Sequence, residues 1–329
     1  SSIEYSYQDH FTIEDEVIKA EPISTYQVKG GMMYDINSDV SVFFNTGMVE
    51  KAPIMDNVIY FDGTVASDPA NEKFLHNEFG VNYRFGKLGI NASAYNTDWQ
   101  DRNLTKSVTT GQGDSGDTDV IFLTGVNQKH SGVELETNYM VNDMLDLMFV
   151  ASFGNWKFDG DANGNYQETE YNSEGQAIGY TTTEYAYALD GLYVGDMPQT
   201  SYVLGVTLKP IKDLRIQAIH KMYDKNYSDW SPSAREFDGT NDDADRAQVW
   251  EAPSYNRLDL HMSYKLPKVK DLDMMLTANI FNVLDEVYVQ DAVDNSQYNG
   301  YGSKQHLPHN AEVFLGTPRY ANIGLSIGF

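Results

Sequence analysis

Apolar and polar residues alternate strictly over the last ten positions of the chain, Tyr320 to Phe329, which read YANIGLSIGF. The apolar positions are Ala321, Ile323, Leu325, Ile327 and Phe329. A repeat of two residues is typical of a β-strand with one apolar face and one small or polar face. The same pattern recurs along the chain at a regular interval, and it therefore determines the predicted fold class.

The alternation predicts eleven strands. They lie at 25–36, 40–49, 74–85, 88–101, 129–141, 145–157, 200–210, 214–227, 255–266, 272–289 and 317–329. Short connections near 36–39, 85–87, 141–144, 209–213 and 267–271 alternate with long ones near 50–73, 102–128, 158–199, 228–254 and 290–316. Short periplasmic turns alternating with long extracellular loops are typical of an all-β transmembrane antiparallel β-barrel. A soluble sandwich, the alternative for the fold, would space its connections less regularly.

The two faces of the predicted strands differ in chemistry. In 255–266, Leu258, Leu260 and Met262 share one face, while Arg257 and Asp259 lie on the other. Rows of ionic residues at every second position suit the wet lumen of a wide barrel, with the apolar row facing lipid.

Aromatic residues recur on the apolar face near the short turns. They are Tyr34, Tyr83, Tyr139, Tyr264 and Phe329. Recurrence at one height predicts an interfacial girdle in contact with outer-membrane lipids, although the ordinary β-propensity of tyrosine and phenylalanine would also place them in strands.

Composition narrows the function classes. No stretch approaches the ~18–20 consecutive apolar residues of a membrane helix, and the mean hydropathy is −0.47. The chain has no cysteine, which excludes disulfides, thiolate metal sites and a cysteine nucleophile. The formal net charge of −25 argues against nucleic acid as a partner, because phosphates would be repelled. Serines and histidines occur without a nucleophile elbow, so an enzyme is not predicted.

The C-terminal segments TANIFNVLDEVYVQD (277–291) and GTPRYANIGLSIGF (316–329) carry a recognisable motif. Its positions are Asn279, Phe281, Asn282, Leu284, Asp285, Tyr288, Gly316, Pro318, Arg319 and Phe329. This motif resembles the C-terminal end of TonB-dependent receptors. The segments 42–59, 71–102, 130–141 and 195–210 also look like the barrel of this family, so the resemblance covers nearly the whole chain.

The resemblance implies an outer-membrane receptor of a Gram-negative bacterium that imports a ferric siderophore, glycan, peptide or cobalamin. Such receptors have twenty-two strands around an N-terminal plug, and a TonB box ahead of the plug couples uptake to the inner membrane. An odd count of eleven strands ending on Phe329 is then expected to be the C-terminal half of the barrel, residues 1–329, with export signal, plug and first barrel half lying upstream. The resemblance also implies that Phe329 is read by the barrel-assembly machinery, and a surface lipoprotein is a further expected partner.

Ligand contact is predicted for residues of the long loops. The candidates are Tyr223, Tyr227, Trp230, Trp250, Tyr255, His306 and His309. Tyrosine and tryptophan offer stacking surface with a polar group, although loop aromatics also pack loops together. His306 and His309 form an H-x-x-H pair that suits either a transition metal or solvated loop histidines.

The loop 158–199 contains eight acidic residues and neither lysine nor arginine. Within it Asp161, Asn163 and Asn165 alternate around Gly164, as in the first half of a calcium loop. Position 172 is Asn where such a loop would end on Glu, so a polar turn is the alternative to Ca²⁺ binding.

Two other functions remain open at this stage. A smaller, self-contained barrel would serve as a passive channel or as an adhesion or scaffold protein, and it would have an even number of strands. A barrel hydrolase would show activity that depends on a serine at a strand end.

Overall fold

The structure is a computed structural model that describes residues 4–8, 15–59, 63–67, 69–109, 118–174, 177–237, 244–268, 270–295 and 305–328. Its strands are Glu4–Gln8 (β1), Asp15–Lys19 (β2), Gln27–Asp35 (β3), Val40–Lys51 (β4), Glu72–Phe85 (β5), Leu88–Thr109 (β6), Thr118–Asn142 (β7), Leu145–Phe158 (β8), Ala162–Tyr171 (β9), Ala177–Tyr187 (β10), Thr200–Leu208 (β11), Leu214–Asp224 (β12), Asn226–Tyr227 (β13), Glu236–Phe237 (β14), Glu251–Ala252 (β15), Tyr255–Lys265 (β16), Asp273–Phe281 (β17), Val289–Val293 (β18), Glu312–Leu315 (β19) and Tyr320–Gly328 (β20). The helices are a 3₁₀ turn, Met55–Asn57, and one short α-helix, Pro232–Arg235 (α1). None of the described helices is long and apolar enough to cross a membrane.

Among the described residues the main sheet has fourteen strands, and eleven of them form one antiparallel path in the order β3-β4-β5-β6-β7-β8-β11-β12-β16-β17-β20. The other three, β9, β10 and β14, pair off this path. All eleven strands predicted from the alternation are present in this path, which confirms the all-β antiparallel architecture. In the described residues β3 and β20 are the two edges of this path. The connections between successive strands of this path alternate between short turns and long loops. All short turns therefore lie at one end of the sheet, the short-turn end, and all long loops lie at the other, the long-loop end.

Three predicted boundaries were wrong. The strand predicted at 272–289 ends at Phe281, where the chain turns away through left-handed backbone conformations at Asn282 (φ 50°) and Asp285 (φ 55°). Much of the loop predicted at 102–128 is strand in the structure, because β6 continues to Thr109 and pairs there with β7, which begins at Thr118. The loop predicted at 158–199 contains the β9–β10 hairpin, and β9 pairs with the extended part of β7.

The register places the apolar residues of neighbouring strands side by side. Phe44 lies opposite Phe79, and Ala278 lies opposite Ile323. Many of these side chains are exposed, among them Ile323 at 79%. A continuous band of exposed apolar side chains on one face of a sheet is what a barrel presents to lipid.

The opposite face, here called the polar face, is held by side-chain hydrogen bonds between strands. Asn45 donates to Glu78 at 3.0 Å, and Asn91 donates to Asn82 at 2.6 Å. Asp259, only 1% exposed, accepts from Lys221 at 2.9 Å and from the backbone of Asn282 at 2.9 Å. Cross-strand pairs of this kind stabilise a sheet and fix its register.

The aromatic residues predicted to form a girdle occupy the apolar face near the short-turn end. Tyr34 faces Val42, Tyr83 faces Val40, and Tyr264 faces Leu214 across their strand pairs. Tyr139 faces Leu88 in the same way, and Phe329 lies outside the described residues. Their contact with lipid head groups stays a prediction.

Candidate functional site

The long loops pack around a hydrophobic core of their own at the long-loop end of the sheet. Its buried members are Ile121, Leu123, Val126, Phe158, Ala162, Tyr187, Leu189, Leu192, Tyr227, Trp230 and Val249. Trp230 is 2% exposed, and its ring meets Phe158 edge-on at a centroid distance of 6.4 Å. Full burial of one large apolar side chain is worth ~1.5–3 kcal/mol, so this core holds the loops in one arrangement.

Five of the predicted ligand-binding residues belong to this loop core or lie next to it: Tyr223, Tyr227, Trp230, Trp250 and Tyr255. Tyr227 is 7% exposed and stacks on Tyr193 with ring centroids 4.1 Å apart. Tyr223, Tyr255 and Tyr288 form a second aromatic row, with centroid distances of 5.0 and 4.4 Å. The carbonyl oxygen of Trp250 accepts hydrogen bonds from Ser228 at 2.9 and 3.0 Å. These contacts give the residues a packing role, and their contact with a ligand stays a prediction.

A close backbone approach joins two of the long loops at Gly195. A methyl group at this position would lie 2.6 Å from the backbone nitrogen of Asp229 and 2.7 Å from the carbonyl oxygen of Ser228. Both neighbours are main-chain atoms, so relief requires the loops to separate.

We therefore expect Gly195→Ala to destabilise the loop assembly by about 1–3 kcal/mol through overpacking. Hydrogen exchange of segments 187–199 and 226–231 in the full-length receptor would measure this as faster exchange. Gly89→Ala is the matched control, because its methyl group would meet Asn138 only at 4.0 Å. Equal exchange in both variants would contradict the close approach.

A buried ionic network, called here the loop latch, joins Arg235, Asp245, Asp294, Asn295 and His306. Arg235 is 0% exposed and lies 3.3 Å from Asp294, whose side chain is 1% exposed. It also donates to the carbonyl oxygens of Asp245 and Ala247 at 2.9 and 2.7 Å. The latch connects α1 with the segments around 245, 294 and 306, which are distant in sequence.

His306 lies between the two carboxylates of the latch. Its Nδ1 is 2.5 Å from Asp294, and its Nε2 is 2.9 Å from Asp245. An imidazole that donates to two carboxylates carries a proton on both nitrogens, and this is the cationic form. The side-chain hydrogen bond to Asp294 raises the pKa of His306, while burial of the ring and the charge of Arg235 oppose that rise. His309, the other member of the H-x-x-H pair, is exposed.

The latch predicts a dependence of loop stability on pH. A pKa raised by folding adds stability below the unfolded pKa of ~6.5 and loses it as the pH rises through the folded pKa. We expect hydrogen exchange in segments 244–250 and 290–295 to accelerate as the pH rises above ~6.5, after correction for intrinsic exchange. His306→Gln should flatten this dependence, whereas His309→Gln should leave it. An unchanged pH profile in His306→Gln would rule out His306 as its source.

A second acidic site borders the same loops. Lys106 forms an ion pair with Asp229, and Asp196 and Asp291 lie beside it. Asp196 retains a solvent-accessible side, but desolvation of its carboxyl group, followed by the charges of Asp229 and Asp291, raises its pKa to about 6. A raised carboxyl pKa also favours the folded loops at acidic pH, in the same direction as His306.

The predicted calcium residues occupy the start of β9. Asp161 accepts from Arg246 at 2.7 and 2.9 Å and from the backbone nitrogens of Leu189 and Asp190 at 3.1 Å. The Arg246 hydrogen bonds, the largest cause, lower the pKa of Asp161. Asn163 and Asn165 lie within the β9–β10 ladder. No group of three or more metal-ligating side chains is found among the described residues, and calcium at this position stays a prediction that requires Arg246 to move away.

The polar face carries a pocket of 390 Å³ in its long-loop half. Its lining is His76, Glu78, Tyr95, Thr97, Trp99, His130, Glu134 and Trp156, and we call this set the polar-face pocket. The indole nitrogen of Trp156 donates to the Tyr95 hydroxyl at 2.9 Å, and His130 stacks on the same indole at a centroid distance of 5.5 Å. His76 and Thr97 share a hydrogen bond of 2.8 Å.

The sequence did not point to the polar-face pocket, although it contains one usable signal. Tyr95, Trp99 and Trp156 fall in phase with the polar residues of their strands, where the alternation would place small or charged side chains. Aromatic residues at the polar positions of a strand, on the face opposite the lipid-facing row, therefore indicate a candidate binding surface on the polar face.

The residues of the C-terminal motif join the last two strands of the main sheet. Asn282 donates to the carbonyl oxygens of Glu286 at 2.9 Å and Thr317 at 3.2 Å. Asp285 accepts from the backbone nitrogen of Arg319 at 3.0 Å and from its guanidinium at 3.3 Å. The motif thus closes the turn after β17 and positions the start of β20.

Gly316 has a related steric role in the motif. A methyl group there would lie 1.9 Å from the ring of Tyr288, and the Gly316 nitrogen donates to the Tyr288 carbonyl oxygen at 2.9 Å. The Tyr288 ring therefore packs directly against the glycine backbone.

Comparison with known proteins relates this architecture to solved structures. The siderophore receptor PiuA from Acinetobacter baumannii superposes with a TM-score of 0.59 at 17% identity, covering 99% of this chain and 38% of PiuA. The ferric yersiniabactin uptake receptor FyuA from Yersinia pestis gives 0.55 at 14% identity, covering 100% of this chain and 41% of FyuA. The ferric-catecholate import receptor Fiu from E. coli gives 0.55 at 14% identity, covering 96% of this chain and 36% of Fiu.

These likenesses show the barrel fold, and this chain spans less than half the length of each of the three receptors. A search of curated proteins gives no match. Residues 5–283 match the family model described as TonB dependent receptor-like, beta-barrel. Because that match covers most of the chain, the chain belongs to the TonB-dependent receptor β-barrel family.

Proposed function

We propose that this chain is the C-terminal barrel part, residues 1–329, of an outer-membrane receptor that binds a scarce nutrient and imports it with energy delivered through TonB. The observation that carries the proposal is the family match over residues 5–283. The family consists of outer-membrane transport receptors and not of enzymes, which agrees with the absence of a catalytic motif in the sequence. Two of the structural neighbours are described as a ferric-catecholate import receptor and a ferric yersiniabactin uptake receptor.

The described geometry supports a receptor in which the loops restrict access to the lumen. The loop core and the loop latch hold the loops at one end of the barrel, and the polar face lines the route below them. A nutrient captured by these extracellular loops would next meet the polar-face pocket. The substrate is then a ferric siderophore, glycan, peptide or cobalamin.

The remaining partners belong to the whole receptor. Coupling requires a plug and a TonB box, which we assign to the protein upstream of these residues. Phe329 would be read by the barrel-assembly machinery, the girdle would contact outer-membrane lipids, and a surface lipoprotein would cover the loops. Ca²⁺ at Asp161, Asn163 and Asn165 is part of the same proposal.

Conductance of the full-length protein in planar bilayers tests the proposal without knowledge of the substrate. A receptor whose lumen is plugged should show no steady conductance, and it should bind the purified periplasmic domain of TonB. A passive channel, the alternative function, would show stable open conductance and no TonB binding. That second result would overturn the proposal.

A further inference from the structure

The polar-face pocket has a lining that restricts the chemistry of its ligand. We infer that it binds a neutral, hydroxyl-rich molecule, a short oligosaccharide, as the substrate enters the lumen. This inference rests on the proposed function, since it assigns a substrate class to the receptor. The pocket volume of 390 Å³ falls in the range of about 300–1,000 Å³ typical of small-molecule sites.

The aromatic residues of the pocket are fixed in position. Trp156 is held by its hydrogen bond to Tyr95 and by the stacked ring of His130. Trp99 packs on Phe74 at a centroid distance of 4.5 Å and donates from its indole nitrogen to Glu72 at 3.2 Å. Rigid aromatic rings offer apolar surface with little loss of conformational entropy, and the C–H faces of sugar rings match such surfaces.

The polar groups of the pocket include both donors and acceptors. Glu78 and Glu134 accept hydrogen bonds, while His76, Tyr95 and Thr97 each carry groups that donate or accept. A hydroxyl group does both at once, so a polyol can pair with the whole set. An ammonium cation could only donate, so it would leave the donors of the lining without an acceptor. An anionic chelate would place its negative charge beside Glu78 and Glu134.

Charge argues against an anionic ligand in the same place. The eight lining residues include two carboxylates and neither lysine nor arginine. One cation borders the pocket: the guanidinium of Arg102 lies 4.2 Å from the centroid of the Trp99 ring. The whole chain carries a formal charge of −25, which adds to the repulsion of anions.

Isothermal titration of the full-length receptor in detergent tests the inference. The probes are maltoheptaose, cellohexaose, xylohexaose and chitohexaose as neutral oligosaccharides, ferric enterobactin as an anion, and spermidine as a cation. We expect one oligosaccharide to bind, with the dissociation constant raised roughly tenfold in Trp156→Ala and about threefold or more in Glu134→Gln. Trp156→Phe keeps an aromatic face and should fall between wild type and Trp156→Ala.

Glu136→Gln is the matched control, because Glu136 lies on the same face of β7 two residues from Glu134 and outside the pocket. Its affinity should equal that of the wild type. Failure of all four oligosaccharides to bind, or binding of ferric enterobactin or spermidine that depends on Trp156 and Glu134, would overturn the inference. A closed conductance with TonB binding would at the same time leave the proposed function standing.

Discussion

Replacing Arg235 by methionine is expected to destabilise the loop assembly by about 3–5 kcal/mol, the cost of removing one partner from a buried ion pair. Methionine fills a similar volume, but it leaves Asp294 (1% exposed) without its guanidinium. It also leaves the carbonyl oxygens of Asp245 and Ala247 without this donor. The loss should be greatest at the long-loop end, because the latch lies outside the eleven-strand path of the main sheet.

Hydrogen exchange of the full-length receptor measures this effect by segment. Exchange in 228–237 and 290–295 should accelerate strongly in Arg235→Met, while strands β5 to β8 keep their protection. The control is Arg246→Met, which breaks a surface pair whose side chains are 40% and 31% exposed and which should cost only about 0–1 kcal/mol. Acceleration no greater than in this control would contradict the buried latch.

Asn282→Ala is expected to have the second large effect, on the C-terminal closure of the sheet. Asn282 is 0% exposed, and its side chain pairs with Glu286 at 2.9 and 3.1 Å and with Thr317 at 3.2 Å. These hydrogen bonds are part-buried, and each contributes roughly 0.5–1.5 kcal/mol to stability. Alanine at φ 50° adds backbone strain of ~1–2 kcal/mol.

Heat-modified mobility of the folded barrel on gels would report this loss as a lower unfolding temperature and a lower folded yield. Asn282→Gly removes the side chain without the backbone strain, so it should be less severe than Asn282→Ala. The control Asn279→Ala removes the side chain that bonds to Asn322 at 2.8 Å from within β17, and it should have the smallest effect. Equal behaviour of Asn282→Ala and Asn279→Ala would contradict the role assigned to the turn.

The eleven strands along the path of the main sheet could be predicted because their signal is local. Alternation with a period of two and short polar turns are both visible within about ten residues of sequence. The end of β17 was missed because Asn-Val-Leu-Asp can continue a strand, and only the left-handed backbone at Asn282 and Asp285 ends it. Asn282 and Asp285 both belong to the C-terminal motif, and in the structure their hydrogen bonds to Thr317 and Arg319 connect the end of β17 to the start of β20.

The loop site could not be predicted in the same way, because its contacts are distant in sequence. Arg235 and Asp294 are 59 positions apart, and Lys106 and Asp229 are 123 apart. The spacing of His306 and His309 predicted a pair, yet only His306 enters the latch while His309 is exposed. Trp230 was predicted to meet a ligand because it is aromatic, and the loop core buries it. Residue type alone therefore predicted which loops contain functional candidates. The packing of the loops determines which of those side chains are buried and which are exposed.

Accumulation of nutrient by living cells is the most direct test of active import, the central claim. Cells that express the complete receptor would be given radiolabelled maltoheptaose, cellohexaose, xylohexaose, chitohexaose or ferric enterobactin, with TonB present or deleted. We expect at least one of these compounds to accumulate against its gradient only when TonB is present, and we expect a protonophore to abolish the uptake. Receptor-dependent entry that is equal with and without TonB would contradict active import.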